Sequence, residues 1–352
     1  MLAIASCAGM LMSCHNQSKS VFFSGTLSQA FEEAARQKKY LLVVSENEQC
    51  PPCVTWNSLL TENKQVKEML ADKYLLYRCV RQVKGNEILS YSLNSVGSPT
   101  TILYNQRGEI GSIITGNKKE DELITELYAF ENERSMFRFY TKRASDSNHL
   151  GTPPKAIEKS LQAMLAFQAA GNDTSKWRTA LTAVQAAAMS QPYFYNCYLS
   201  AMLNNKLGDK SQSRKWALKA LELTGSYEML LYRDLLNETK TYADTTLTME
   251  NAPYLAVAQS KITLGVLKFR EKKVWQISVY NKGKNPLLLH QAVASCSCLS
   301  AVCPKAPIAP GDSAIIQLSY DASSHGVFNR GLSILSNARN TIMEVAVSGV
   351  VE

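Results

Sequence analysis

The chain has little that could hold a nucleotide, a catalytic metal or a nucleic acid. Only four histidines occur in 352 residues, and none has ligand-like spacing. That argues against a zinc hydrolase, whose metal needs several closely placed ligands. No P-loop and no G-x-G-x-x-G fingerprint is present, so phosphate-cradling and dinucleotide chemistry lack their backbone platform. Charged residues make up 19% of the chain. The excess of 38 basic over 30 acidic residues is scattered among acids, as in Glu62-Asn63-Lys64 and Lys118-Lys119-Glu120-Asp121-Glu122. No basic stripe forms, and a nucleic-acid partner is not expected. The apolar run from Met1 to Ser13 is too short to span a bilayer and reads as a signal-peptide core.

Cysteine, by contrast, is plentiful. Nine cysteines are many for a reducing compartment unless they ligate metal or catalyse. Two of them form Gln49-Cys50-Pro51-Pro52-Cys53-Val54-Thr55-Trp56, which follows the apolar run Tyr40-Leu41-Leu42-Val43-Val44 and opens a helical pattern. A Cys-x-x-Cys pair at a strand-to-helix junction is a redox motif. The helix N-terminus offers unpaired N–H groups and partial positive charge, which favour a thiolate. Cys50 is therefore the expected reactive sulfur, with a pKa below the free value of about 8.5. Half a zinc site and a static disulfide are the alternatives at this motif. Pro51 suits the first helical turn, where a missing N–H costs nothing.

Leu11-Met12-Ser13-Cys14 resembles a bacterial lipobox. The resemblance implies cleavage after residue 13 and a lipid anchor on Cys14. It places the protein outside the cytoplasm, in the periplasm or cell envelope, where disulfide chemistry has work to do. No Lys or Arg precedes Cys14, so a start upstream of Met1 stays open.

From residue 20 to 131 the pattern alternates strand and helix. Thr26-Leu27-Ser28-Gln29 is a capping box for a helix to Lys38. Tyr40 to Ser45 reads as a strand buried on both faces. Pro52 to Ala71 reads as one helix, Tyr74 to Val80 as a strand. Ser95-Val96-Gly97-Ser98-Pro99-Thr100 then enters a strand, a hairpin at Gly108 and a last helix from Lys118 to Phe130. Val21-Phe22-Phe23 would add a first strand. These residues, with Cys50-Pro51-Pro52-Cys53 and Val96-Gly97-Ser98-Pro99-Thr100, resemble the thioredoxin-fold family. The resemblance implies a cis Pro99 facing the disulfide, and a substrate strand paired with the backbone at Ser98, Pro99 and Thr100. It departs from thioredoxin in having Gln49 and Pro51 in the motif. It also lacks the acid that thioredoxin buries in the preceding strand. Glu46 and Glu48, read as loop residues, are the nearest carboxylates: either assists proton transfer or is simply solvated.

Residues 132 to 150 read as a linker. Residues 151 to 240 shift to Ala, Leu and Gln, with helices at Lys155 to Ala170, Lys176 to Met189, Tyr193 to Leu207, Lys210 to Leu223 and Ser226 to Glu238. Tyr198 to Leu223 resembles a single tetratricopeptide-type repeat, which implies a protein-binding groove; a plain helical spacer is the alternative. A second linker is read over 241 to 260. From Lys261 to the end the pattern is alternating and β-rich, with strands at Ile262 to Phe269, Lys273 to Asn281, Pro286 to Ala294, Ala314 to Asp321, Gly331 to Ser336 and Thr341 to Val351. This spacing predicts a small antiparallel sandwich. Asn281 with Gly283, Ser295-Cys296-Ser297-Cys298, Pro307-Ile308-Ala309-Pro310-Gly311, Gly326-Val327-Phe328-Asn329 and Ser336-Asn337 resemble DUF1573, an immunoglobulin-like module with no activity attached to it.

Cys296, Cys298 and Cys303 have three readings. They can form a structural disulfide, take part in a relay with Cys50–Cys53, or ligate a soft metal such as Cu(I). A Cys-x-Cys disulfide closes a small ring, so Cys298–Cys303 or Cys296–Cys303 is the expected pairing. Cys79 and Cys197 lie in apolar contexts and read as inert core thiols.

The expected whole is a three-part protein: an α/β thioredoxin-like part, an all-α part and an all-β sandwich. Its expected activity is thiol–disulfide exchange on protein disulfides or dithiols through Cys50 and Cys53, without a cofactor, fed by a membrane or thioredoxin-type electron carrier. The alternatives are an envelope adaptor with a static Cys50–Cys53 disulfide and a copper-handling thiol protein.

Overall fold

The computed structural model describes residues 21–95, 97–134 and 154–352. Cys14 with its lipobox, most of the 132–150 linker and Val96 lie outside the described residues. Two compact units divide the chain: residues 1–80 with 98–136, and residues 81–97 with 137–352. Among the described residues no helix is long and apolar enough to cross a membrane.

The first unit opens with α1 (Leu27–Gln37), whose capping box is present: Thr26 Oγ1 accepts from Gln29 N, and Gln29 Oε1 accepts from Thr26 N at 2.9 Å. It continues through β1 (Tyr40–Glu46), α2 (Pro51–Glu62), α3 (Lys64–Ala71) and β2 (Tyr74–Val80). After α4 (Glu87–Leu93), which packs in the other unit, come β3 (Thr100–Tyr104), β4 (Ile110–Thr115) and α5 (Glu120–Glu131). The sheet order is β2-β1-β3-β4, with β1 parallel to β2 and antiparallel to β3. From Leu41 on, every β1 residue is buried, as the unalternating apolar run predicts. Its core joins Leu42, Val44, Trp56, Leu60, Val66 and Leu127.

Two expectations change here. The helix read as continuous from Pro52 to Ala71 is two helices. Asn63 leaves the helical conformation (φ −66°, ψ 123°) and its Oδ1 accepts from Val66 N at 3.0 Å, so it ends α2 and caps α3. Asn is among the best N-cap residues, and the local bond competes with helix continuation. The strand read at Val21 to Phe23 is reduced to one parallel bridge, Phe22 to Leu76.

In the second unit, α6 (Pro154–Ala169), α7 (Thr174–Ser190), α8 (Phe194–Lys206) and α9 (Lys210–Glu222) pack as consecutive neighbours. They are followed by α10 (Ser226–Leu231) and α11 (Arg233–Ala243). The last two were expected as one helix; the backbone breaks at the fully buried Tyr232. Phe194 to Asn204 of α8 is buried all round, so this helix is the centre of the bundle. One face of it receives α4. Helix ends carry carbonyls with no intrahelical partner, and tyrosine hydroxyls answer three at the end of α4. Tyr193 donates to Ser92 O (3.0 Å), Tyr232 lies 3.0 Å from Tyr91 O, and Tyr227 donates to Asn94 O (3.1 Å). Tyr91 also packs between the rings of Tyr195 and Tyr232, both 5.6 Å away.

The β-sandwich has two four-stranded sheets. One is ordered β5 (Leu255–Val257), β7 (Lys272–Asn281), β10 (Ser313–Asp321), β9 (Leu299–Val302). The other is ordered β6 (Lys261–Leu267), β12 (Ile342–Val351), β11 (Gly326–Ser336), β8 (Leu289–Ala294). β5 and β9 were not expected. β5 sits inside the stretch read as a linker and pairs with β7; three residues give too little alternation to see. Asn281 and Gly283 have a joint purpose. The buried Asn281 Nδ2 donates to Asn285 O and Ile308 O, both at 2.9 Å, and a Cβ on Gly283 would lie 2.4 Å from Ala252 O.

Lys240, on α11, donates to Asn337 O at 3.1 Å, and burial pushes its pKa from 10.5 down to about 8. Burial, then the charge of Lys240, also holds His290 below the usual histidine value. Between about 8 and 10.5 the unfolded lysine binds more protons than the folded one, so stability rises with pH across that window. Below it both forms are protonated, and the folded unit bears the full cost of the buried ammonium. Urea unfolding of the full chain should show the second unit gaining stability from about pH 7 to about pH 10 relative to Lys240→Met. Parallel pH profiles for the two proteins would contradict this.

Candidate active site

The site starts from the end of β1. Ser45 pairs with Thr100 and Val44 with Thr101 across the β1–β3 ladder. The chain leaving β1 toward Cys50 and the chain entering β3 from Pro99 therefore meet at one end of the sheet. The Ser98–Pro99 peptide bond is cis, as the resemblance implies. Pro99 and Thr100 are buried, Ser98 is half-buried and Gly97 exposed. The Pro99 carbonyl accepts from Gly116 N at 2.9 Å.

Cys50 is the N-cap of α2 and Pro51 and Pro52 are its first two residues. Neither proline has an N–H, so two of the four unpaired donors of the helix start are absent. The first available N–H belongs to Cys53. It lies 2.9 Å from Cys50 O and 3.2 Å from Cys50 Sγ. Cys50 and Cys53 form a disulfide, with Cα atoms 5.2 Å apart. The two sulfurs differ in setting: Cys50 is half-buried, whereas Cys53 is 2% exposed. Around Cys50 the surface is apolar, since Pro51 and Pro52 are exposed and Val54 is 67% exposed.

Trp56 anchors this helix start. Its indole is buried and donates from Nε1 to Thr101 Oγ1 at 2.7 Å. One hydrogen bond thus ties the cysteine-bearing helix to the strand that follows Pro99.

Glu46 corrects the loop reading. It is the last residue of β1, paired in register with Val80, and is 2% exposed. Oε2 accepts from Asn57 Nδ2 at 2.7 Å and Oε1 accepts from Arg78 Nε at 2.8 Å, with the Arg78 guanidinium forming an ion pair. Such partners are what a buried carboxylate requires. Asn57 is four residues after Cys53, so both face the same side of α2. A buried acid therefore closes β1 and is bonded to the residue one helical turn beyond Cys53. Glu48 is exposed. No pattern in the sequence pointed to Arg78 or Asn57 as its partners.

The sandwich cysteines also depart from expectation. Cys296 bonds to Cys298, with Cα atoms 5.2 Å apart, and Cys303 is a free thiol. The reason is β9. Leu299 to Val302 is extended, and at about 3.3 Å per residue it carries Cys303 more than about 10 Å from the turn. A disulfide needs Cα atoms within about 7 Å. Burial pushes the Cys303 thiol up. Cys79 and Cys197 are buried free thiols, and burial pushes Cys197 up to about 12. Among the described residues no group of three or more His, Cys, Asp or Glu could hold a metal ion. While Cys296 and Cys298 are bonded, two of the three thiols of the copper reading are not available as thiolates.

A strand–helix sheet with a disulfide at the start of its second helix and a cis-proline leading into the strand paired with β1 defines a thioredoxin-like fold and motif. That fold and motif support thiol–disulfide oxidoreductase activity. Residues 23–106 match the family model described as Thioredoxin-like, and residues 255–351 match the model described as Protein of unknown function (DUF1573). Neither model reaches the helices between them, and the tetratricopeptide resemblance gains no support. No curated protein matches the chain. Among solved structures it is similar to a protein of unknown function from Porphyromonas gingivalis W83, at 22% identity over 30% of this chain and 50% of that one (TM-score 0.28). The chain thus spans half the length of that relative. It is also similar to a thioredoxin from Thermus thermophilus, at 18% identity over 31% of this chain and 85% of that one (TM-score 0.29). A third likeness is to DsbH Oxidoreductase, at 9% identity over 36% of this chain and 95% of that one (TM-score 0.29). These scores are too low to carry an argument.

Replacing Trp56 with Phe removes a buried hydrogen bond and leaves a void. The expected cost to the first unit is about 2–4 kcal/mol, measured by urea unfolding. A cost under about 0.5 kcal/mol would mean that this bond does not anchor α2.

Proposed function

We propose that this chain is an exported thiol–disulfide oxidoreductase that acts on protein disulfides or dithiols through Cys50 and Cys53. The observation that carries the reading is the asymmetry of the pair: a half-buried cysteine at the helix N-cap and a buried one three residues into the helix. In the reduced protein, the Cys50 thiolate attacks one sulfur of a substrate disulfide. The substrate's other sulfur leaves as a thiolate and takes a proton, and a Cys50–substrate mixed disulfide remains. Cys53, once deprotonated, attacks Cys50 Sγ. The substrate leaves as a dithiol and the Cys50–Cys53 bond closes. The same steps in reverse oxidise a dithiol.

The Cys53 N–H beside Cys50 Sγ favours the thiolate. Glu46, bonded to Asn57 one turn beyond Cys53 on α2, is the acid this reading assigns to the Cys53 proton. The apolar collar of Pro51, Pro52 and Val54 suits an unfolded or flexible protein segment. Pro99 O already bonds to Gly116, so the substrate strand is taken to pair with the Ser98 backbone. The lipobox resemblance supports an envelope location with a lipid anchor on Cys14, and a membrane or thioredoxin-type carrier as electron partner. A static disulfide is disfavoured, because its two cysteines would not need unequal exposure.

The reduced full chain should catalyse reduction of a small disulfide-bonded protein. Cys50→Ser should fall to background. Cys53→Ser should stop at a mixed disulfide through Cys50. Glu46→Gln should slow resolution of that intermediate by at least roughly tenfold while its formation is little changed. Equal activity of wild type and Cys50→Ser would overturn the reading.

A further inference from the structure

The second disulfide lies where it can staple nothing. Cys296 and Cys298 sit in the turn from β8 to β9. β8 is an edge strand of one sheet and β9 an edge strand of the other. The bond joins residues two apart, so it closes the smallest of loops, and the stabilisation a cross-link gives falls with loop size.

The turn is also held without it. On the β8 side, Ser295 N donates to Gly331 O and Gly331 N donates to Ser295 Oγ, both at 2.9 Å. On the β9 side, Asp321 N donates to Cys298 O at 2.8 Å. The sulfurs are therefore kept near one another by the backbone of the sandwich. Opening the bond would leave two thiols at closing distance rather than a released loop. Both cysteines are half-buried and pack against the core of the sandwich, while the flanking Ser295 and Ser297 are exposed, so an attacking thiolate would come from the solvent side of the turn. Cys303, carried away along β9 with its thiol pushed up by burial, is placed to interfere with neither.

We infer that Cys296–Cys298 is a second, reversible thiol–disulfide site whose substrate is a protein dithiol. One thiolate of that dithiol attacks a sulfur of the pair. The S–S bond breaks, a mixed disulfide forms, and the displaced sulfur takes a proton. The second thiol of the donor then attacks the mixed disulfide. The donor leaves oxidised to a disulfide, and Cys296 and Cys298 are left as two thiols. Two electrons and two protons have moved to the sandwich. The site stands whether or not Cys50 and Cys53 are active.

The test uses the full chain with Cys50→Ser, Cys53→Ser and Cys303→Ser, reading Cys296 and Cys298 by alkylation and peptide mass spectrometry. Excess dithiothreitol should open the pair in the native protein with circular dichroism unchanged, and oxidised glutathione should close it again. A thioredoxin-type protein dithiol should open it catalytically faster than an equal concentration of glutathione. A Cys298→Ser version should retain the donor as a mixed disulfide on Cys296. Reduced wild-type chain and reduced Cys50→Ser chain, added as donors, separate this protein's own dithiol from that of another protein. The proposal is overturned if the pair opens only in denaturant, if reduction unfolds the sandwich, or if no protein dithiol opens it. It is equally overturned if both sulfurs alkylate before any reductant is added.

Discussion

The antiparallel pairing of β1 with β3 is the constraint on which the first unit's chemistry depends. Its register sets Ser45 against Thr100. One step beyond, β1 turns toward Cys50 while β3 begins after Pro99. The Trp56–Thr101 hydrogen bond then fixes α2 to the same strand. Without that register the disulfide and the cis-proline would be separate features of the sequence. The buried Glu46, at the last position of β1, follows from the same geometry. Its neighbours on α2 and β2 supply Asn57 and Arg78, and a buried carboxylate without them would be too costly to keep.

A similar economy appears at α4. Its C-terminal carbonyls are answered by Tyr193, Tyr227 and Tyr232, all from the helical bundle. The helix that leads into Gly97 and Ser98 is thus built into the second unit by hydrogen bonds at its end and ring contacts along its side. The bundle sets the conformation of the chain up to Asn94, which has a left-handed backbone (φ 51°) and closes α4 through its N–H.

The three-part architecture, the strands of the first sheet and most of the bundle helices were legible in the sequence, because each rests on a long apolar pattern or a cap. Short elements were not: β5 and β9 have too few residues to show alternation. The breaks at Asn63 and Tyr232 were hidden in continuous helical periodicity, and at Asn63 a side-chain cap decided the outcome. The Cys50–Cys53 disulfide and the cis bond at Pro99 were legible because each has a motif. Glu46 was misplaced because strand β1 extends two residues past its apolar run, with Glu46 held by partners remote in sequence. The burial of α8 was hidden by its polar stripe of Asn196, Ser200 and Asn204, and no sequence pattern pointed to the destination of the tyrosine hydroxyls. The Cys296–Cys298 pairing was missed by weighing ring size alone. The extended β9, which separates Cys303 from the turn, settles it.

The most direct test of the central claim is the reduction potential of Cys50–Cys53. It is best measured in the full chain with Cys296, Cys298 and Cys303 replaced by Ser, equilibrated in glutathione buffers. An exchange-active pair should equilibrate between about −270 mV, the thioredoxin range, and about −120 mV, the range of a strong disulfide donor; the position within it assigns the direction of electron flow. A pair that stays closed below about −300 mV would be a structural disulfide and would contradict the account.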